Sequence, residues 1–167
     1  MRQQDHGKGL VPVQWEALRY LARANALSNS PGALARYLGS TKGTVSQTLL
    51  SLEKKGLIEK QTRGGDGRSV KLMLTEQGKA KLTEDGLLAV EQDIAGLSDK
   101  TRKRLDRALE QMLAAACMRQ DEPSFGTCDS CRYFREGGSS APDRCMKVEA
   151  SLTPEDRQLM CIEHVAR

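Results

Sequence analysis

The residues of this chain that are best suited to chemistry are cysteines close to its C-terminal end. They follow the pattern Cys128-x2-Cys131-x13-Cys145-x15-Cys161, and a Cys161-x2-His164 pair ends it. A Cys-x2-Cys loop lets two thiolates approach one metal centre, and two more distant ligands then close the site. The segment has too few apolar residues to fold alone, so bound metal would supply its folding energy. We therefore predict a metal or iron–sulfur site rather than a chance set of buried thiols.

The identity of the metal stays open between two donor sets. Structural zinc is usually held by two close pairs, here Cys128/Cys131 with Cys161/His164, which leaves Cys145 unused. Two close and two widely separated cysteines instead suit a [4Fe-4S] cube, whose four corners point apart, and the spacing resembles that of high-potential iron–sulfur proteins. Apolar neighbours could shield either centre: Tyr133, Phe134, Met146 and Ile162. We favour the [4Fe-4S] cluster and keep Zn2+ as the alternative.

Charge and composition limit the partners and the compartment. Residues 1–118 carry 19 Lys and Arg against 13 Asp and Glu, whereas residues 119–167 carry 7 against 9. A basic first part that faces a polyanion is one interpretation, and a solvated charged surface is the other. The first ten residues lack the apolar run of a secretion signal, and no stretch has the roughly 20 apolar residues that cross a bilayer. We therefore predict a cytoplasmic protein without membrane contact, in which thiols stay reduced.

The first 80 residues indicate three helices followed by a β-hairpin. The segment VPVQWEALRYLARANAL has apolar residues at helical spacing, and Ser30 should cap the short helix that follows it. Ser40 is predicted to cap the third helix, which ends at Gly56. Strands at residues 57–60 and 70–75 flank the glycine-rich basic turn TRGGDGRS, and this arrangement predicts a hairpin.

Two longer helices are predicted after the hairpin, the first beginning at Thr75. Their apolar stripes are Leu87, Val90, Ile94 and Leu97 in the first, and Leu105, Ala108, Leu109, Met112, Leu113 and Ala116 in the second. The preceding domain offers little surface to bury these stripes, so we predict a homodimer, while packing within one chain is the alternative. The predicted domains are a winged helix-turn-helix at 1–80, dimerisation helices at 81–118 and a cysteine-rich segment at 119–167.

The helix that starts near residue 40 has residue types that can bind base edges. Its solvent side carries hydroxyls, an amide and a lysine, and Gly43 allows close approach of the backbone. The candidate DNA-binding residues are Ser40, Thr41, Lys42, Gly43, Thr44, Ser46 and Gln47 in the helix, with Arg63, Asp66 and Arg68 in the basic turn. Such a helix enters the major groove while a hairpin beside it reaches phosphate or the minor groove. The predicted fold is mainly α with a small β-hairpin wing, long dimerisation helices and a small metal-bound C-terminal segment.

The segments LARYLGSTKGTVSQTLLSLEKKGLIEK and GGDGRSVKLMLTEQG resemble the MarR family of winged-helix regulators. The resemblance runs from about residue 11 to about residue 97. Its elements are Gln14-Trp15, Leu38-Gly39-Ser40 with Thr44-Val45-Ser46, Leu52-Glu53-Lys54-Lys55-Gly56-Leu57-Ile58, and Asp66-x-Arg68 followed by Leu74-Thr75-x-x-Gly78. It implies a dimeric regulator that binds a pseudo-palindromic operator in double-stranded DNA.

The turn of the hairpin has a role in this resemblance. By it, Arg68 would enter the minor groove, oriented by Asp66, because a narrow groove concentrates negative potential. A turn-stabilising ion pair is the other interpretation of these two residues. The chain departs from the family pattern at Gly67, where relatives have an arginine, and only about ten residues precede the first helix. Relatives have a longer helix there that joins the dimer interface, so dimerisation is left to the later helices.

The sequence therefore predicts a transcription regulator tuned by an iron–sulfur cluster that senses iron or redox state. If the cluster lies beside the dimerising helices, its gain, loss or oxidation would change the separation of the two recognition helices. The alternatives are a regulator with a structural zinc site that responds to a small ligand or partner, and an electron-transfer protein or enzyme with a winged domain. An enzyme is disfavoured because His6 and His164 are the only histidines and no nucleophile–base pair or phosphate loop is present.

Overall fold

The structure is a computed structural model that describes residues 9–62, 70–120, 125–138 and 141–167. The helices are α1 (Pro12–Arg23), α2 (Pro31–Tyr37), α3 (Lys42–Lys54), α4 (Glu76–Leu82), α5 (Leu87–Ala95), α6 (Asp99–Gln120) and α7 (Pro154–Gln158), and a 3-10 turn spans Cys128–Ser130. The strands are β1 (Ile58–Thr62), β2 (Val70–Leu74), β3 (Phe134–Arg135), β4 (Asp143–Cys145) and β5 (Ala150–Leu152). None of the helices in these ranges is long and apolar enough to cross a membrane.

Helices α1, α2 and α3 pack around one apolar core. Spacing predicts that Val13, Ala17, Leu18 and Leu21 share a face of α1, and all of them are buried except Val13, which is half-buried. Full burial of one such leucine contributes about 1.5–3 kcal/mol. The other members of the core are Leu10, Trp15, Tyr20, Ala24, Ala33, Leu34, Ala35, Val45, Leu49, Leu52, Leu57, Ile58, Leu72 and Ile162. The core thus joins the three helices to the hairpin and, at Ile162, to the C-terminal segment.

Side-chain caps define where the short helices begin. The predicted caps are confirmed at Ser30, whose hydroxyl accepts from the Ala33 amide at 3.2 Å, and at Thr75. The predicted cap at Ser40 is wrong by one residue, since Thr41 accepts from the amide of the third helical residue instead. The reason is that the Ser40 amide donates to the Ala35 carbonyl at 3.0 Å, which keeps Ser40 in the turn after α2.

The predicted hairpin is confirmed, with its first strand shifted by one residue. Ile58 pairs with Leu74 and Thr62 with Val70 in an antiparallel ladder. The Leu72 amide donates to the Asn29 carbonyl at 2.7 Å, which ties β2 to the turn between α1 and α2. The connecting residues 63–69 lie outside the described part of the chain.

Helix α4 comes very close to the start of the hairpin at Gly78. The Thr75 amide donates to the Leu57 carbonyl at 3.1 Å, and the Thr75 hydroxyl donates to the Gly56 carbonyl at 2.6 Å. These bonds hold the first turn of α4 against the backbone of Leu57, so that a Cβ on Gly78 would overlap the Leu57 carbonyl group. The glycine is therefore required by the close approach of two backbone segments.

We expect Gly78→Ala to lower the free energy of unfolding by roughly 2–3 kcal/mol, because the added methyl group displaces packed backbone. Gly32→Ala in α2 is the matched control, since a Cβ there meets no atom within 4 Å and alanine favours a helix. Urea unfolding followed by circular dichroism measures both as shifts of the midpoint. Equal midpoints for the two variants would contradict the packing argument.

The long helix predicted from Thr75 is wrong in its continuity. The chain leaves helical geometry after α4, and the Asp85 carboxylate accepts from the Leu87 amide at 3.1 Å to begin α5. Helix α6 follows as the longest element, with 22 residues from Asp99. None of the described side chains of α5 and α6 is buried within the single chain.

The C-terminal segment forms a small sheet that packs on the helical domain. Its strands lie in the order β3-β4-β5, all antiparallel. The Met160 amide donates to the Arg23 carbonyl at 2.7 Å, and the Asn25 amide donates to the Met160 carbonyl at 3.0 Å. Because Ile162 also enters the common core, this segment is structurally part of the winged domain rather than an appended tail.

Candidate functional sites: the exposed face of helix α3 and a four-cysteine cavity

Helix α3 presents one polar face to solvent. Its other side, with Val45, Leu49 and Leu52, packs on the core and turns the polar residues outward. Of the predicted DNA-binding residues, Thr41, Lys42, Gly43, Thr44, Ser46 and Gln47 are exposed, and Ser40 is half-buried. The structure therefore brings these predicted residues together at the N-terminal half of one helix.

A groove runs beside this face of α3. Its lining comprises Lys42, Ser46 and Leu49 of α3, Ser30, Pro31 and Gly32 at the start of α2, and Lys60 and Val70 of the hairpin. Lys60 forms an ion pair with Glu53 at 2.7 Å, whereas Lys42 lies exposed at the first turn of α3. Hydroxyl and ammonium groups thus meet in a groove whose chemistry suits an anionic backbone.

The three predicted DNA-binding residues of the hairpin turn are Arg63, Asp66 and Arg68, and they lie outside the residues that the structure describes. The minor-groove role of Arg68 and its orientation by Asp66 stay predictions from the resemblance.

The four predicted cysteines of the C-terminal segment surround one small apolar cavity. Cys128, Cys131, Cys145 and Cys161 are each only 6–8% exposed and carry free thiols. The other lining residues are Leu27, Phe134, Leu152 and Glu163. Cysteines up to 33 positions apart in sequence therefore meet at one place, and Leu27 brings the turn between α1 and α2 to the same cavity.

Backbone hydrogen bonds hold these cysteines on separate elements. The Cys131 amide donates to the Cys128 carbonyl at 3.0 Å and closes the Cys-x2-Cys loop. Cys145 pairs with Phe134 across β3 and β4, and the Cys161 amide donates to the Gly126 carbonyl at 2.9 Å. The positions of the thiols are therefore set by the sheet and its loops.

Arg157 of α7 ties the surface of this module together. Its guanidinium binds the Asp129 carboxylate at 2.6 Å and the Glu136 carboxylate at 3.1 Å. It also lies 4.9 Å from the centre of the Phe134 ring, within the range of a cation–π contact. The turn that carries Cys128 is thus held against β3.

Burial makes two of these thiols, those of Cys128 and Cys161, poor acids. It raises the pKa of the Cys128 thiol to about 11, and the other cavity cysteines, Cys161 first, add to the effect. Burial also raises the pKa of Cys161, against opposing interactions with the side chain of Asn25, the backbone of Glu163 and the side chain of Ser28. Four adjacent thiolates would therefore need a cation among them, and binding one would release protons.

The donor groups do not converge on a single point. Among the residues that the structure describes, no three His, Cys, Asp or Glu side chains are arranged to hold one metal ion. A tetrahedral zinc site with Zn–S distances of about 2.3 Å brings its sulfur atoms to within about 3.8 Å of one another.

His164, the predicted ligand for the zinc alternative, lies beside this cavity but does not line it. Its Nε2 atom is 3.0 Å from the Ser130 hydroxyl. Its ring packs so closely on Gly126 that a Cβ at that position would come within 2.7 Å of it. Burial lowers the pKa of His164. These contacts describe a packed imidazole.

Two polar residues that sequence reasoning misses lie next to Cys161. Asn25 and Ser28, in the turn between α1 and α2, are both fully buried. The Ser28 hydroxyl donates to the Asn25 side-chain oxygen at 2.8 Å and accepts from the Ile162 amide at 2.9 Å. The Asn-x-x-Ser pattern is a turn signal, but the predicted first helix extends over it to Leu27, whereas α1 ends at Arg23.

Comparisons with known proteins agree with the fold. Residues 8–69 match the sequence model of the MarR family. A MarR transcriptional regulator from Methanosarcina mazei Go1 is 25% identical with a TM-score of 0.52, over 66% of this chain and 80% of that one. FabT of Streptococcus pneumoniae, solved in complex with DNA, is 25% identical with a TM-score of 0.50, over 65% and 77%. A mutant of MepR from a multidrug-resistant clinical isolate of Staphylococcus aureus is 25% identical with a TM-score of 0.53, over 64% and 79%.

These structures cover about two thirds of the chain, and a comparison with curated proteins finds no match. Proteins of the MarR family are transcription regulators and not enzymes, in agreement with the prediction from the sequence. Helices α1, α2 and α3 and strand β1 lie within residues 8–69, and strand β2 follows that range. Residues 8–69 of this chain are thus similar to the MarR family of winged-helix regulators.

Proposed function

We propose that this protein is a transcription regulator that binds a pseudo-palindromic operator in double-stranded DNA as a homodimer. The observation that carries the proposal is the exposed polar face of α3, held in place by a buried apolar face on the same helix. The related FabT was solved in complex with DNA, which supports the same activity here. Helix α3 would lie in the major groove, with the hairpin against the adjacent backbone.

The homodimer is supported by apolar side chains that a single chain leaves uncovered. Leu87 and Val90 of α5 are 49% and 50% exposed, and Met112 of α6 is 67% exposed. Leu109 and Leu113, on the same side of α6, are each 51% exposed. Soluble proteins rarely leave such stripes open to water, so a second copy that places two α3 helices on neighbouring half-sites accounts for them.

Selection of binding sites from a random duplex library, followed by titration at several salt concentrations, tests this proposal. We expect a two-fold symmetric consensus and an affinity that falls steeply with salt, because basic side chains displace counterions from phosphate. No salt-dependent binding to any duplex, by metal-loaded or metal-free protein, would overturn it.

We expect Lys42→Gln to weaken binding to all duplexes and to reduce the salt slope by about one for each half-site, since Lys42 lies at the exposed start of α3. Lys79→Gln is the matched control, because Lys79 is exposed on α4 and is paired with Glu76 at 2.7 Å. Fluorescence anisotropy with a labelled operator measures both slopes. An unchanged slope for Lys42→Gln would remove this residue from the interface.

We propose further that Cys128, Cys131, Cys145 and Cys161 hold a [4Fe-4S] cluster that tunes DNA binding. The donor set fits, since four buried soft ligands line one apolar cavity. An unpartnered amide next to Cys161 also fits, because it can stabilise a thiolate. When bound, the cluster would make the protein responsive to iron supply, oxygen or other oxidants. The thiolates themselves would anchor the C-terminal sheet.

Anaerobic purification with metal analysis tests the cluster directly. We expect a brown protein with about four iron atoms and a similar amount of acid-labile sulfide for each chain. The zinc alternative requires His164 to leave the Ser130 hydroxyl and act as a ligand with three of the cysteines. A colourless protein with stoichiometric zinc would overturn the cluster and leave a structural site.

A further inference from the structure

The cysteine cavity lies against the DNA-binding domain of its own chain. The sequence alone suggests a cluster beside the dimerising helices, which would alter the spacing of two recognition helices. The cavity instead includes Leu27 of the turn between α1 and α2, and the residues that line it in the structure include none from α5 or α6. A signal from the cavity therefore has a shorter route within one chain.

Asn25 provides an unusual group at that contact. It is 0% exposed, and its side-chain oxygen accepts from the Leu27 amide at 3.2 Å and from the Ser28 hydroxyl at 2.8 Å. Its side-chain nitrogen is the buried side-chain donor left without a hydrogen-bond partner among the described residues. Such a donor costs about 1–3 kcal/mol, so its retention calls for a partner that is present in the working protein.

The neighbour that this side-chain amide acts on is Cys161. The backbone of Asn25 donates to the Met160 carbonyl at 3.0 Å, and the Ile162 amide donates to the Ser28 hydroxyl at 2.9 Å, so the residues on both sides of Cys161 are bonded to the turn that carries Asn25. An N–H donor interacts far better with a thiolate sulfur than with a neutral thiol. The Asn25 amide is therefore suited to the ionised ligand that a bound metal centre creates.

The same turn reaches the elements that read DNA. The Ser28 carbonyl accepts from the Tyr20 hydroxyl at 2.7 Å. The backbone carbonyl of the next residue, Asn29, accepts from the Leu72 amide of the hairpin at 2.7 Å. Ser30 then caps α2, which packs against α3. From Cys161 to the hairpin and to the helix pair, the path is a few directly bonded residues.

We propose that the side-chain amide of Asn25 donates a hydrogen bond to the Cys161 thiolate in the cluster-loaded protein. This bond couples the state of the cluster to the DNA-binding helices through the turn from Asn25 to Ser28. The inference rests on the proposed cluster and names the residues through which it acts. Asn25 is a positioning residue here, since it would touch a ligand of the cluster and no substrate. Loss of the cluster would leave the amide unpaired again and loosen the turn that begins α2.

The coupling has a measurable electrochemical consequence. Hydrogen bonds to ligand sulfur stabilise the more negative, reduced cluster and raise its reduction potential. We expect Asn25→Leu, which removes the donor at similar volume, to shift the one-electron equilibrium about tenfold towards the oxidised form, a fall of about 59 mV. Asn29→Ala is the matched control, because its amide makes only a 3.9 Å contact with the Met73 sulfur.

The decisive experiment measures potential and operator affinity together in loaded and cluster-free protein. We expect wild type and Asn29→Ala to show at least a tenfold difference in operator affinity between the two forms. We expect Asn25→Leu to keep its iron and to show a difference below threefold. An Asn25→Leu protein with wild-type potential and a wild-type affinity difference would overturn the coupling while leaving the cluster intact. Wild-type protein that binds no iron would overturn both.

Hydrogen exchange on the wild-type protein gives a second test that needs no variant. Removal of iron should increase exchange in residues 24–30 and in α2 more than in α4 and α6. Equal changes in all four regions, or none in the turn, would overturn the proposal even where Asn25→Leu fails to fold.

Discussion

Cys161→Ala protein is expected to purify without iron and to unfold at a temperature about 10 °C below that of the loaded wild type. Cys161 precedes Ile162, which lies in the core shared with α1, α2 and α3, and its amide is bonded to the Gly126 carbonyl. A bound metal centre contributes its binding energy to folding, so its loss lowers the free energy of unfolding by at least about 3 kcal/mol. In a chain of this size each kcal/mol shifts the midpoint of thermal unfolding by about 2–4 °C.

Cys117→Ala is the matched control for this variant, because Cys117 precedes the cysteine-rich segment and belongs to none of its close pairs. It should keep the iron content and the unfolding temperature of wild type. Both variants are compared by iron analysis and by anaerobic thermal unfolding followed by circular dichroism. Wild-type iron content in Cys161→Ala would exclude Cys161 as a ligand.

The expected loss of stability follows from the position of the cysteine module. Its last residues are bonded to the winged domain. The Met160 amide donates to the Arg23 carbonyl at the end of α1, and Glu163 forms an ion pair with Arg36 of α2 at 3.3 Å. The slightly acidic C-terminal segment thus meets basic residues of the first domain. A change at the cavity consequently acts on the winged domain directly.

Features with a local physical cause could be predicted from the sequence. Ser30 and Thr75 cap their helices because a hydroxyl before a helical run satisfies free amides, whatever the rest of the fold does. Alternating residues on either side of a glycine-rich turn likewise predict the hairpin. The spacing of the four cysteines likewise predicts that they lie together, and they line one cavity, whereas the bound metal stays a prediction.

Features that depend on contacts between distant residues could not be predicted. The bond from Ile162 to Ser28 joins residues 134 positions apart, and neither residue carries a local sign of it. The break between α4 and α5 falls just before Gly86, where the Asp85 carboxylate accepts from the Leu87 amide, and the apolar spacing of the sequence does not mark it. Sequence spacing likewise places Asn25 in the first helix. Its position next to Cys161 depends on the fold, so no local pattern reveals it.

The largest effect on DNA binding is expected from Met112→Asp in α6. Met112 is 67% exposed in the single chain, and a charge buried against the facing apolar surface of a second copy would be strongly unfavourable. We expect a monomer at micromolar concentration and an operator affinity at least about 100-fold weaker, because one half-site no longer benefits from binding of the other. Sedimentation and anisotropy with the selected operator measure the two effects.

Ala114→Asp is the matched control, since it introduces the same charge at an exposed residue on the opposite side of α6 from Met112. It should remain dimeric with wild-type affinity, so that a general effect of negative charge near DNA is separated from loss of the dimer. If Met112→Asp stays dimeric and binds the operator as wild type does, the α6 stripe is not the dimer surface. The exposed apolar side chains of α5, Leu87 and Val90, would then be the next to carry the same substitution, because they form the other uncovered stripe.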